Sequence, residues 1–198
     1  MSHHIYTTPG FIVHSSSQGE AGKYLLLFTR DLGMIGATAQ GVRLQQSKLR
    51  YYLQDFSYSI FSVVRGKEVW RVTGAKEIED MNKSVHEMNP ENKKLYVRIL
   101  SLLKRLLHGE EKNERLFRVL ENFHHYVSTK DLDKEKRELV EYLVVFRILD
   151  SLGYVHAQSP LEILCDSDEI REDILEKVKS HTKSIVEEIN NGLKESQL

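Results

Sequence analysis

A chain of 198 residues with 40% hydrophobic and 29% charged side chains can bury a core without covalent staples, which excludes a disulfide mini-protein and a largely disordered or fibrous chain. The formal net charge of −1 hides a division near Ile78: residues 1–78 hold 9 Lys and Arg against 5 Asp and Glu, and residues 79–198 hold 19 against 24. A half with an excess of four positive charges joined to a half with an excess of five negative ones points to a polyanionic partner for the first and not for the second.

The single cysteine, Cys165, excludes an intrachain disulfide and a cysteine-built zinc cage and fits a reducing compartment. The longest apolar runs, Tyr24 to Phe28 and Tyr142 to Phe146, fall far short of a bilayer-spanning length. Residues 1–10 lack the charged-then-apolar order of a signal peptide. The chain therefore reads as soluble and cytoplasmic.

The first 78 residues contain 8 of the 11 glycines and 10 of the 17 aromatics, in short alternating segments, which is the composition of β-structure. Strands are expected at Tyr6 to Ser15, Lys23 to Arg30, Met34 to Gly41, Leu53 to Val64 and Glu68 to Lys76. Asp31-Leu32-Gly33 and Arg65-Gly66-Lys67 suit tight hairpins between them. In the fourth strand Phe56, Tyr58 and Ile60 share one phase while Phe61 and Val63 share the other, which requires a bulge or burial of both faces. Five curled antiparallel strands make a small barrel.

After Glu79 the apolar period becomes helical. Asn89 caps and Pro90 opens a helix whose stripe is Leu95, Ile99, Leu102, Leu103 and Leu106, ending at Gly109. A second helix, about Asn113 to Ser128, buries Leu116, Leu120, Phe123 and Val127. A third, about Lys134 to Ser151, is apolar on most sides, as the central helix of a bundle is, and Gly153 closes it. Ser159, Pro160 and Glu162 form a capping box before a short turn of helix. One last helix, about Asp168 to Asn191, carries Ile170, Ile174, Val178, Ile185 and Ile189 along one side. The class is α+β: a five-stranded barrel over residues 1–78, a linker at 79–89 and an all-α helical domain over 90–198.

The order of residues in the first half adds to this. Gly10-Phe11-Ile12-Val13-His14, then Gly19-Glu20, then Leu25 to Gly33, then Ala39-Gln40-Gly41-Val42-Arg43, Ser47 and Leu53-Gln54-Asp55-Phe56-Ser57, closing at Glu77, resembles the opening of the RecO family of bacterial recombination mediators. The resemblance covers residues 5–78 and weakens beyond, at Leu95-Tyr96 and at Phe146 to Gly153-Tyr154. It implies that the barrel is an OB-fold and that the protein acts in DNA repair, binding single- and double-stranded DNA and annealing complementary strands. It further implies RecR and single-stranded-DNA-binding protein as partners, RecA as an indirect one, and a nucleoid-associated cytoplasmic location. Two departures stand out. Many relatives carry a four-cysteine zinc site after the position of Gly153-Tyr154, where this chain has only Cys165, so no metal and no cofactor is carried over. Relatives also follow the glycine with two or three basic residues, where this chain has Arg43 and then Leu44-Gln45-Gln46.

OB-fold barrels bind nucleic acid through a basic face with exposed aromatics. The candidate DNA-binding residues are Lys23, Arg30, Arg43, Lys48, Arg50 and Tyr51, with four of the cations expected to cluster at the ends of the second and third strands and in the loop after them. Backbone contact without base readout suits a protein that handles any sequence; ordinary solvated surface cations are the competing reading. Arg71 is a weaker candidate. Tyr52, Phe56 and Tyr58 are further stacking candidates, with core packing favoured for Phe56 and for Trp70, and Glu20 either orients a cation or caps a loop.

His124-His125 and His156 do not build a metal site, because adjacent helical residues point about 100° apart. No nucleophile motif, phosphate-cradling loop or carboxylate pair appears, so catalysis is not expected. Lys104-Arg105, Arg115 and Arg118 on the helical half are either a basic spot for an acidic peptide or solvated cations paired with Glu114 or Glu121. Two other functional classes compete with the DNA-binding reading: an adaptor that recruits proteins through its helical bundle, its barrel having lost DNA affinity, and a metal-dependent nuclease.

Overall fold

Alternation of apolar and polar side chains builds five strands in the computed structural model, which describes residues 4–78, 85–107, 109–155 and 160–196: β1 (Ile5–Gln18), β2 (Gly22–Thr29), β3 (Gly33–Ala39), β4 (Tyr58–Arg65) and β5 (Trp70–Lys76). They close into a barrel in the order β1-β2-β3-β5-β4, as the resemblance to an OB-fold implies. The 14-residue β1 pairs β4 through Ile5 to Phe11 and β2 through Gly10 to Gln18, with a register shift between Ile12 and His14. One strand thereby serves two sides of the barrel, and the extra residue of a bulge supplies the bend this needs. The parallel contact of β3 with β5, Ala37 to Trp70 and Thr38 to Arg71, completes the closure. Ile12, Leu25, Leu27, Ile35, Ala37, Phe61, Val63, Trp70 and Val72 fill the interior.

The fourth strand starts at Tyr58 rather than at Leu53. Between β3 and β4 a four-residue helix, α1 (Leu49–Tyr52), is followed by a turn in which Phe56 takes a φ of 66°, a conformation that costs a non-glycine residue about 1 kcal/mol. The backbone of Ile12 holds the turn from both sides, through Phe56 N–H to Ile12 O (3.1 Å) and Ile12 N–H to Ser57 O (2.9 Å). Phe56 is therefore half-buried in a turn, not packed within a strand. The conflicting phases resolve by burial on both faces: Phe61 and Val63 face the core, while Tyr58 on the other side stacks on Phe11 with centroids 4.3 Å apart.

The remaining helices are α2 (Pro90–Leu106), α3 (Glu114–Thr129), α4 (Lys134–Ser151), α5 (Glu172–Ser180) and α6 (Thr182–Glu195). The chain divides into two units, one of residues 1–85 with 100–112 and one of residues 86–99 with 113–198, so α2 gives its first turns to the second unit and its last to the first. Of the segment 79–89, residues 79–84 lie outside the described residues, as do His156 and the capping residue Ser159. Pro160 precedes a 3-10 turn at Leu161–Leu164.

In the second unit α4 packs against α3, α5 and α6. Caps fix the helix starts: Asn113 Oδ1 accepts from Leu116 N–H (2.9 Å) and Asp133 Oδ1 from Lys136 N–H (2.8 Å), each worth about 1 kcal/mol. The single helix expected from Asp168 to Asn191 is two, broken at His181. Ser180, His181 and Thr182 explain the break, because their side chains take the carbonyls of Lys177, Val178 and Lys179 in competition with the helical ladder.

Two buried polar side chains carry the unit's most specific interactions. Arg147, 1% exposed, donates from Nε to Leu164 O (2.7 Å) and from Nη1 to Asp168 O (3.0 Å) and Glu169 O (3.1 Å), tying the loop before α5 to α4. Burial lowers its guanidinium to about 10. Replacing it by methionine fills most of the volume but orphans those carbonyls, each costing about 1–3 kcal/mol. Arg147→Met is therefore expected to lose about 3 kcal/mol or more in urea unfolding, with protease cleavage appearing first within 161–170; unchanged unfolding would show that the loop holds itself.

His124, buried on α3, meets the Tyr96 hydroxyl at 3.1 Å through Nδ1, and burial, with His125 beside it, lowers its imidazole from 6.5 to about 4. The unfolded chain thus binds a proton between pH 6.5 and 4 that the folded chain refuses, so this contribution is complete above about 6.5 and is lost as pH falls through that window, by about 3 kcal/mol. Urea titrations from pH 7 to pH 4 should show the stability difference between the wild type and His124→Gln narrowing. A difference constant with pH would mean that His124 does not govern the acid side.

Candidate nucleic-acid interface

The path of the chain after β3 brings cations from three elements together. Gly41, at a φ of 68°, turns the backbone out of β3, and Arg43 N–H bonds to Ala21 O (3.0 Å), setting this residue beside the β1–β2 turn. Ser47 then starts a bend into α1, which carries Arg50 on its last turn. The result is a groove of about 420 Å³ lined by Lys23, Val42, Arg43, Arg50 and Gln54. Three of the six candidate residues therefore share one concavity at the end of the barrel, and Tyr51, 60% exposed, stands next to it edge-on to Tyr52 at 5.2 Å.

The cations are not equivalent. Lys23 shares the inward phase of Leu25 and Leu27, and its Nζ reaches Leu53 O at 3.0 Å and Asp55 at 3.9 Å, so part of its charge is spent closing the barrel end. Asp55 also accepts from Ser15 Oγ. Arg43 is exposed and spends one donor on Gly19 O at 3.3 Å, leaving the rest of its guanidinium toward the groove. Arg50 and Lys48 are exposed and make no side-chain pairing among the described residues. Lys48 sits at the amino end of α1, outside the groove lining.

Arg30 is not brought to this cluster. It follows the far end of β2, where Thr29 pairs with Gly33, while Lys23 pairs with Ala39 at the near end. Seven residues at about 3.3 Å each separate the two by roughly 20 Å. A hairpin folds strand ends back on each other, so alternate ends of β2 and β3 meet; the expectation of one cluster took the carboxyl end of β2 and that of β3 to be the same side, whereas antiparallel pairing puts them at opposite ends.

Two residues of the groove were not singled out from the sequence. Val42 is fully buried and Gln54 half-buried, and nothing in their types signals a site; only the fold of the β3–β4 connection places them there. Trp70 is core, as expected, but its Nε1 donates to Glu110 (2.9 Å), which also pairs with Arg65 (3.3 Å). Arg65 lies over the Trp70 ring at 5.4 Å, so this cation is occupied within the first unit. Glu20 is exposed in the β1–β2 turn.

In the second unit Arg115 pairs with Asp150 (2.6 Å) and Arg118 with Asp168 (2.9 Å), which spends two of the four cations of the expected basic spot on carboxylates. Burial first, and Asp150 next, push the Cys165 thiol up to about 12, and Arg147 holds the neighbouring Leu164 carbonyl. Among the described residues no three His, Cys, Asp or Glu side chains gather as a metal cluster, and no helix is long and apolar enough to cross a membrane.

Comparison with known proteins bears on the same stretch of chain. The family model for the recombination protein O N terminal matches residues 1–81. DNA repair protein RecO of Dehalococcoides mccartyi (strain ATCC BAA-2266 / KCTC 15142 / 195) is 42% identical over 76 residues, 38% of this chain and 30% of the relative. That of Alkaliphilus metalliredigens (strain QYMF) is 30% identical over 132 residues, 65% of this chain and 51% of the relative. That of Acetivibrio thermocellus is 25% identical over 151 residues, 74% of this chain and 57% of the relative. The chain thus spans between about a third and somewhat more than half of the length of these relatives. The five-stranded closed barrel lies within the residues that the family model matches, and over its first 81 residues the chain is similar to the amino-terminal part of DNA repair protein RecO.

Proposed function

We propose that the chain is a cytoplasmic, non-enzymatic DNA-binding repair protein whose barrel grips the sugar-phosphate backbone of single- and double-stranded DNA. The observation that carries this reading is the convergence of Lys23, Arg43 and Arg50 on one groove at the barrel end, with the exposed Tyr51 beside it. Arginine guanidinium groups on flexible stems meet phosphate oxygens without reading base edges, which suits a protein that acts on gaps and ends of any sequence. Neutralising phosphates on two strands lowers their mutual repulsion, so complementary strands pair without any bond being hydrolysed. That the matched relatives are named DNA repair proteins supports this reading. In that setting the helical unit would dock protein partners, RecR and single-stranded-DNA-binding protein among them, so that RecA is loaded onto the exposed strand.

Ionic strength separates this reading from that of an adaptor whose barrel no longer binds DNA. Contacts from Arg43, Lys48 and Arg50 release about three counterions, so single-strand affinity should fall with a log–log salt slope of roughly −2. The double variant Arg43→Ala, Arg50→Ala should bind more weakly to every sequence and flatten that slope toward roughly −1. Because both side chains are exposed, it should unfold within about 0.5 kcal/mol of the wild type. Fluorescence anisotropy of a labelled oligothymidine between low and high salt makes the measurement. Binding absent at all salts would favour the adaptor, and strand cleavage on adding magnesium would favour a nuclease.

A further inference from the structure

The outer surface of the barrel next to the groove carries an aromatic side chain in an unusual seat. Tyr24 follows Lys23 on β2 and pairs across the sheet with Thr38 of β3, which in turn pairs with Arg71 of β5. Directly paired residues share a face, and because Leu25, Ala37, Trp70 and Val72 point into the core, Tyr24, Thr38 and Arg71 form a row on the outside. Diagonal to Tyr24 stands Gly36, and a methyl carbon placed on Gly36 would overlap the Tyr24 hydroxyl and come within 3.1 Å of its Cζ and 3.4 Å of its Cε2. The side chain thus reaches across the sheet with its hydroxyl end seated over the glycine, and it is half-buried, so part of it remains open to solvent on the outer face. Arg71 at the end of the row is exposed and pairs with no carboxylate among the described residues. Thr38 has its hydroxyl turned back to Trp70 O at 3.4 Å, which keeps the space between ring and guanidinium low.

From this arrangement we infer that Tyr24 is a stacking platform for one unpaired base of a single-stranded nucleic acid, with Arg71 holding a neighbouring phosphate; the inference rests on the reading of the groove as a backbone-binding site. A ring whose far end is seated over a glycine is fixed before binding and loses little freedom when a base covers it. Stacking needs only the flat face of the base, so it is tolerant of sequence. It also requires a base free of its helix, so this contact serves single strands and not duplexes. The groove cations, by contrast, meet phosphates that both forms present. The barrel accordingly prefers single strands through Tyr24 and binds duplex through the cations in and beside the groove.

The test measures the full chain against a labelled oligothymidine and a blunt duplex in parallel. Tyr24→Leu should lose on the order of ten-fold in single-strand affinity and less than about two-fold on the duplex, while Tyr24→Phe keeps both. An equal loss on both substrates, no loss on either, or a Tyr24→Phe variant as weak as Tyr24→Leu would each overturn the platform. If instead the wild type binds neither substrate, it is the reading of the groove that fails. A second measurement needs no variant: irradiation of the wild-type protein with a 5-iodouracil-substituted strand should attach the strand to the peptide containing Tyr24. Attachment only elsewhere, at Tyr51 for example, would overturn the assignment.

Discussion

The arrangement of the first unit depends on a short parallel contact, Ala37 with Trp70 and Thr38 with Arg71. Without it the sheet would be an open meander with two exposed edges; with it the edges vanish and the interior is sealed. The contact also dictates which residues face outward together. Trp70 is drawn inside, and Arg71, one residue on, is placed in line with Thr38 and Tyr24. The connection between β3 and β4 must then cross the barrel end, and it does so through Arg43, α1 and the strained turn at Phe56. Closure of the barrel and assembly of the groove are consequences of the same crossing.

Much of this architecture is legible in the residues. Alternation, the hairpins at Asp31 to Gly33 and Arg65 to Lys67, and the cap at Asn89, whose side chain accepts from Glu91 N–H (2.8 Å), all mark local events, and local events leave local signals. What fails is informative in the same terms. Phe56 keeps the phase of Tyr58 and Ile60, yet tertiary bonds to the Ile12 backbone hold Phe56 and Ser57 in a turn, and periodicity cannot register a partner so distant in sequence. The run from Asp168 to Asn191 keeps a helical stripe through Val178 and Ile185, but three consecutive polar side chains at Ser180 to Thr182 take the carbonyls that would continue it. A stripe counts apolar positions and is blind to that competition.

The candidate site is legible in residue type and less so in place. Nothing in the one-dimensional order tells which of nine cations in residues 1–78 are spent: Lys23 on the Leu53 carbonyl, Arg65 on Glu110 and on the Trp70 ring. Nor does it show that Arg30 and Arg43, thirteen positions apart, stand at opposite ends of a hairpin. Tyr24 is hidden for a different reason. It reads as one more aromatic in a strand, and only Gly36 across the sheet, an invisible neighbour in sequence, makes room for its hydroxyl end on the outer face. A small residue opposite a large one is a pairing signal, and it becomes readable once the register is known.

The charge division takes on a sharper meaning in the folded molecule. The first unit excludes nothing of the basic half and exchanges a little at its margin: residues 79–85 subtract one positive charge and residues 100–112 restore it, so the unit keeps the net +4 of residues 1–78. Within it the acidic side chains are not spread evenly over the cations. Asp55 and Glu110 answer Lys23 and Arg65, and the Asp31 carboxylate is taken by the Thr8 hydroxyl at 2.6 Å, whereas Arg43, Lys48, Arg50 and Arg71 pair with no carboxylate among the described residues. Arg43 and Arg50 thus bring cations without a carboxylate partner to one groove, and Arg71 brings another to the outer face of β5. In the proposed reading these cations would draw a polyanion before any specific contact forms, and the strand would meet the groove cations first and the ring of Tyr24 next, in the order in which charge and shape act over distance.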